Sequence, residues 1–202
     1  VASVTDASAL ENLGTMPVAV TLSHPSATPV TVYLTTADGT NDSPATAADN
    51  DYLPLSAAPL VIPAETTSAQ GAVTVTNDNK YELDETFLVT LTGADGATIS
   101  PTSDTAALVI LNDEPLPTLT LVPLASPVIE GTNTGDGRRA AYLAQLSIPS
   151  ALPVTFDWEV FGGSASASGS HIDFSPANQT GLTFAAGVTT LVIGPTITQD
   201  TI

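Results

Sequence analysis

The 202-residue sequence carries 21 acidic against 3 basic side chains, a formal charge of −18, with 43% hydrophobic residues and no cysteine. Such a surface repels nucleic acid and anionic membranes, which argues against both as partners. The lack of cysteine excludes disulfides, thiolate zinc sites and cysteine catalysis. No apolar run approaches the roughly 20 residues of a membrane span. A strongly acidic chain attracts divalent cations, and it equally suits a protein living in salt, where screening blunts self-repulsion. Few lysines beside abundant Thr, Ala, Ser and Pro lean towards an exported protein. Val1 is not a native start, so a removed leader or further upstream chain is expected.

In chain order, no segment shows the 3.6-residue period of an amphipathic helix. Short runs alternate at period two instead, each with one buried and one wet face. Val18–Leu22 and Val30–Thr35 are separated by His24-Pro25-Ser26. Asp38-Gly39-Thr40-Asn41-Asp42 reads as a turn, because Gly permits positive φ and Asp and Asn bond their own backbone. A long polar loop leads to Asp51-Tyr52, and Leu60-Val61-Ile62 ends at Pro63. Val73–Thr76 and Phe87–Leu91 flank an acidic loop holding Asp78, Glu82, Asp84 and Glu85 with Lys80. Asp95-Gly96 turns the chain, and Ala106–Leu111 closes the unit. About seven short strands with regular turns predict a β-sandwich.

Like charges this close repel by roughly 4 kcal/mol at about 4 Å and an effective dielectric of 20. A fold tolerates that when the acids face water or share a cation. Hard oxygen ligands in a flexible loop suit Ca²⁺, which takes about 6–8 of them.

Pro115-Leu116-Pro117 reads as a stiff linker, after which the pattern repeats. Glu130-Gly131 answers Glu11-Asn12, Pro153–Phe156 answers Pro29–Val32, and Asp173-Phe174 answers Asp51-Tyr52. Leu182–Gly187 answers Leu60–Glu65, and Asp200 answers Asp78. A small insertion is expected at Asn133–Arg139. The expected organisation is therefore 1–114, a linker at 115–117, and a second copy over 118–202. That copy lacks strands equivalent to Phe87–Leu91 and Ala106–Leu111. The natural chain is expected to continue; the other reading is that an adjacent protomer donates the missing strands.

Four signals in order resemble the Calx-beta family: Thr36-Ala37-Asp38-Gly39-Thr40, Asp51-Tyr52, the Asp78…Glu82…Asp84-Glu85-Thr86-Phe87 loop, and the closing Ile110-Leu111-Asn112-Asp113-Glu114. They span almost all of 1–114; the second copy matches more weakly. The resemblance implies an all-β protein of two tandem immunoglobulin-like antiparallel sandwiches, the second incomplete, with Ca²⁺ bound by loops at one end. Carried over by position, the metal ligands are Glu11, Asp51, Asp78, Glu82, Glu85 and Asp113. In the second copy they are Glu130, Asp173 and Asp200. Asn77 stands where stronger binders tend to carry another Asp. Gly169–Asp173 is also spelled differently from the family's Gly-Ser-Asp-Tyr.

Other residues have plainer readings. Asp84 faces solvent or caps the turn, while Asp38 and Asp95 are turn residues. Asp49 is explained as well by loop chemistry as by ligation. His24 and His171, with no cysteine nearby, make no zinc or copper site. Ser170, His171 and Asp173 are adjacent without triad geometry or a nucleophile elbow. The paired carboxylates lack a cleft suited to a glycosidase, so no enzyme is expected. Phe156 and Trp158 share a strand face and read as core. Asn41-Asp42-Ser43 and Asn178-Gln179-Thr180 are formal glycosylation sequons.

The expected function is a calcium-binding structural module of a large extracellular or cell-surface protein, bacterial or archaeal, such as an adhesin stalk or filament. Ca²⁺ would stiffen the joint to neighbouring domains. The alternative is an adhesion module that binds protein or carbohydrate without metal.

Overall fold

The computed structural model describes residues 1–124, 139–169, 172–175 and 178–198. Glu130, Asp200, Ser170, His171 and most of the expected insertion lie outside them. The chain divides into two compact units, one of 1–78 with 83–114, the other of 79–82 with 115–202.

The first unit holds eight strands: β1 (Ala2–Val4), β2 (Ala7–Leu10), β3 (Thr15–Leu22), β4 (Val30–Ala37), β5 (Ala58–Ile62), β6 (Ser68–Thr74), β7 (Glu85–Asp95) and β8 (Thr105–Leu111). They form two layers, a three-stranded sheet ordered β1-β3-β6 and a five-stranded sheet ordered β2-β8-β7-β4-β5. Strict alternation builds the core between them. Met16, Val18 and Val20 of β3 face Val32 of β4, Phe87 and Val89 of β7 and Leu108 of β8, all fully buried.

The expected antiparallel pairing holds with one exception. The N-terminal strand changes sheets near Asp6. β1 runs antiparallel to β3, whereas β2 runs parallel to β8, with Ala7 opposite Leu108 and Leu10 opposite Leu111. The Asp6 carboxylate accepts from the Ala107 backbone N–H at 2.8 Å, fixing the crossing point. Pro17 sits inside β3 without breaking it. β1 pairs only with Val20–Leu22, so at Pro17 one side of β3 is an open edge that needs no donor.

The second unit contains β9 (Leu119–Pro123), β10 (Tyr142–Leu146), β11 (Val154–Trp158), β12 (Phe174–Ser175), β13 (Gln179–Phe184), β14 (Thr190–Ile193) and β15 (Thr196–Ile197). Its described sheets are β14-β10-β9, β11-β13 and β12-β15. Phe156 and Trp158 both pack in its small core against Phe184. The segment 79–82 is part of this unit. The Tyr81 N–H donates to Pro149 O at 3.0 Å, and Ala151 N–H donates to Tyr81 O at 2.9 Å. Pro115 to Pro117 form no strand and group with the same unit.

The two units share a register. Val30, Thr31 and Val32 pair with Ile62, Val61 and Leu60. Val154, Thr155 and Phe156 pair with Phe184, Thr183 and Leu182. These are the residues that the sequence sets in correspondence.

Candidate metal centre

An aromatic pair anchors the first half of the site. Tyr52 and Phe87 stack with ring centroids 4.2 Å apart and planes 11° apart. Both rings are buried, so the residues just before them in sequence are held at the rim of the core. Asp51 precedes Tyr52, and Glu85 lies two residues before Phe87. Gly39 brings the next loop close: a Cβ there would lie 1.9 Å from the Thr86 carbonyl oxygen. Ala45 N–H donates to that same oxygen at 2.9 Å. Only glycine fits this approach, and its neighbour Asp38 staples the loop. The Asp38 carboxylate accepts from the Tyr52 hydroxyl at 2.7 Å and from Ala47 N–H at 2.9 Å. The Tyr52 hydroxyl, and then the Ala47 amide, hold the Asp38 carboxyl below its ordinary range. Burial, then the Asp38 contact, pushes the Tyr52 hydroxyl well up.

Within the first unit the acids fall into a pair and a group of three. Asp51 and Glu85, both half-buried, offer carboxylate oxygens within 4.8 Å of each other. Glu11, Asp113 and Glu114 each offer one within 4.8 Å of the others. Opposed ligands of one Ca²⁺ lie about 4.6–5.2 Å apart, twice its usual bond length, so each group is the right size for an ion. All of these donors are hard oxygens, which suits Ca²⁺ or Mg²⁺ rather than a thiophilic metal.

Local hydrogen bonds and turns position several of these acids. Asp51 accepts from Thr46 N–H at 2.7 Å. Glu11 opens a single 3-10 turn, Glu11–Leu13, closed by Gly14 in the left-handed conformation, and is only 5% exposed. Asp113 is positioned by a hydrogen bond from the Asn12 side-chain amide. Asn112 is tied at both ends: its N–H donates to Asp84 at 3.0 Å and its side-chain amide to Glu114 O at 2.9 Å. Glu114 Oε2 is buried with no hydrogen-bond partner. Buried carboxylate oxygens are expensive to leave unsatisfied, and a cation is the natural complement.

Within the first unit the structure brings together four of the six residues assigned to the first copy, Asp51 with Glu85 and Glu11 with Asp113; Glu82 lies in the segment that groups with the second unit. Asp78 is exposed and belongs to neither. Glu114 was not among the assigned ligands; its place beside Asp113 in the closing motif was the available signal. Asp84 is exposed and serves as a backbone acceptor. Asp49 accepts from Thr46 Oγ1 at 2.9 Å. In the second unit, the half-buried Asp173 accepts from Ser166 N–H at 2.6 Å, much as Asp51 does from Thr46. Among the described residues no other acid joins Asp173 in a group of three.

The fold and the grouped carboxylates define a class, an all-β sandwich module with oxygen-donor clusters in its loops. The chain belongs to the Calx-beta family: the Calx-beta domain model matches residues 2–114, more than half of its length. Calx-beta domains are calcium-binding modules rather than a family of enzymes. No curated protein matches the chain. Among solved structures it is similar to CBD12 of CALX1.2, at 21% identity over 98% of this chain and 73% of that one, with a TM-score of 0.46. It is also similar to the apo form of the Calx CBD1 domain, at 21% identity over 55% of this chain and 99% of that one, TM-score 0.43. A two-domain protein of unknown function from Bacteroides fragilis aligns at 8% identity over 98% and 83% of the two chains, TM-score 0.37. Among the described residues, no helix is long and apolar enough to cross a membrane.

Proposed function

We propose that this chain is a calcium-binding structural module of an extracellular or cell-surface protein, taking Ca²⁺ at Glu11/Asp113/Glu114 and at Asp51/Glu85. The observation that carries the reading is Glu114 Oε2, buried without a hydrogen bond inside a group of three acids that includes the buried Glu11. A bound ion would neutralise that group and supply the missing partner. Asp113 and Glu114 directly precede Pro115 in sequence, so an ion there would also order the start of the Pro-Leu-Pro linker and stiffen the joint. Two sandwich modules in tandem, 1–114 and 118–202, would make such a joint useful in a stalk. Extracellular modules commonly bind Ca²⁺ at about 10⁻⁴–10⁻³ M, which suits calcium-rich surroundings. The excess of acid and the scarcity of lysine support the same setting.

Calcium titration by calorimetry tests the proposal. Binding heat at submillimolar to millimolar Ca²⁺ is expected, with two classes of site. Glu114→Gln weakens one class at least tenfold and leaves the other. Absence of heat up to 10 mM, with melting unchanged by EDTA, overturns it.

A further inference from the structure

β2 and β5 are the two outer strands of the five-stranded sheet, and they are held differently. β5 buries Ile62 fully and packs Leu60 against the core. β2 is four residues long and offers the core only Ala7 and Ala9, while its Leu10 is 40% exposed. Two alanine methyl groups contribute little by burial. β2 therefore depends on its ladder with β8 and on what ties the ends of that ladder.

The ladder is parallel, so both strands leave the sheet at the same end. In an antiparallel pair the segments that follow would part in opposite directions. Here Glu11 directly follows β2, Asp113 and Glu114 follow closely after β8, and their carboxylate oxygens come within 4.8 Å of one another. The entry end is tied by attraction, with Ala107 N–H donating to the Asp6 carboxylate at 2.8 Å. The exit end also has an attraction, the Asn12 side-chain amide on Asp113. It works against three like charges carried on the continuations of the two strands. Salt screens such repulsion poorly where the charges are partly buried. Among the described residues, β5 has no such group of acids at either end.

We propose that the charge at Glu11, Asp113 and Glu114 acts as a fastener for β2. A bound cation draws the ends of β2 and β8 together, and the empty group pushes them apart. β2 exchanges between a seated and a loosened arrangement, and occupancy of the group sets the balance. The coupling is reciprocal: a chain with β2 seated binds the ion more tightly. That the cation is Ca²⁺ rests on the function proposed above, whereas the repulsion does not.

Hydrogen exchange of the whole chain at 0.15 M salt, read by mass spectrometry with β5 as internal reference, tests the fastener. In EDTA, Glu114→Gln should slow amide exchange across Ala7–Leu10 by at least about tenfold, because a charge is lost and nothing has bound. Glu11→Gln is the second variant and should act in the same direction. A merely structural role for these carboxylates gives the opposite sign, faster exchange in β2. Adding about 10 mM Ca²⁺ to the unaltered chain should slow the same amides to a similar degree, with Ala58–Ile62 changed by less than about twofold. Two results would each overturn the proposal. One is that both Gln variants leave β2 unchanged or hasten its exchange. The other is that Ca²⁺ binds with measurable heat while β2 and β5 respond alike. Absence of binding heat with the slowing by Gln retained would remove calcium as the ligand and support the fastener.

Discussion

The two units apply the same strand register to different degrees of closure. In the first, a hairpin of β7 and β8 roofs the sheet, and twenty-one buried apolar residues form one core. In the second, five described residues are buried in the core, and β9 is exposed along its whole length. Local pairing at β4-β5 and β11-β13 is the same in both. In the first unit the hairpin also seals the core and helps to gather the acids. Asp51 is carried next to Glu85 because Tyr52 stacks on a residue of β7.

The sharpest way to break this contrast is Phe87→Ala. Removing the ring leaves a cavity in a closed core, and a loss of about 3–5 kcal/mol is expected from the first unit's unfolding transition in urea. Phe184→Ala in the open unit should cost less, because a half-uncovered core can relax or hydrate. Equal losses would mean the two cores are equally closed in solution.

Calcium is the next lever. At about 100 times the dissociation constant, linkage adds roughly 2.7 kcal/mol, worth on the order of ten degrees in melting temperature. By calorimetry this gain should fall on the transition of the first unit, which holds Glu11, Asp51, Glu85, Asp113 and Glu114. A matching rise in the second unit would assign Asp173 to a working site. Gly39→Ala should cost about 2 kcal/mol, because a methyl group cannot share space with the Thr86 carbonyl. It should also weaken calcium binding at Asp51/Glu85 by displacing Glu85, which isothermal titration would detect.

The smallest effect is acid sensitivity. Asp38 is held below its ordinary pKa, so its contribution is present above about pH 4 and lost as pH falls through the folded value. Tyr52→Phe removes the main cause. It should lower stability at neutral pH and flatten the loss seen as pH falls below about 4 in a denaturant series. Tyr52 itself is shifted upward. Its contribution is complete below about pH 10 and fades as pH rises towards the folded value.

Much of the fold was legible because β3, β4, β7 and β8 alternate strictly. β1 and β2 were not read. Ala-Ser-Val and Ala-Ser-Ala-Leu are too short and too small to announce a strand, and the pairing of β2 is decided by a partner strand over ninety residues away. β6 was read late and short, because Ser68–Ala72 lacks large apolar residues and takes its place from β3. The candidate ligands were legible as residue types. Their division was not, because spacing along loops says nothing about which loop tips meet. Asp78 shows this limit: it lies four residues before Glu82, yet the turn between them leaves it in solvent.

The parallel pairing of β2 with β8 has a mechanical consequence. Those two strands lie near the opposite ends of the first unit, side by side and pointing the same way. Tension drawn through the polypeptide slides one along the other, so their hydrogen bonds resist together rather than opening one at a time. A segment under pull would yield last where Ala7–Leu10 grips Leu108–Leu111, and force spectroscopy would find its highest rupture there.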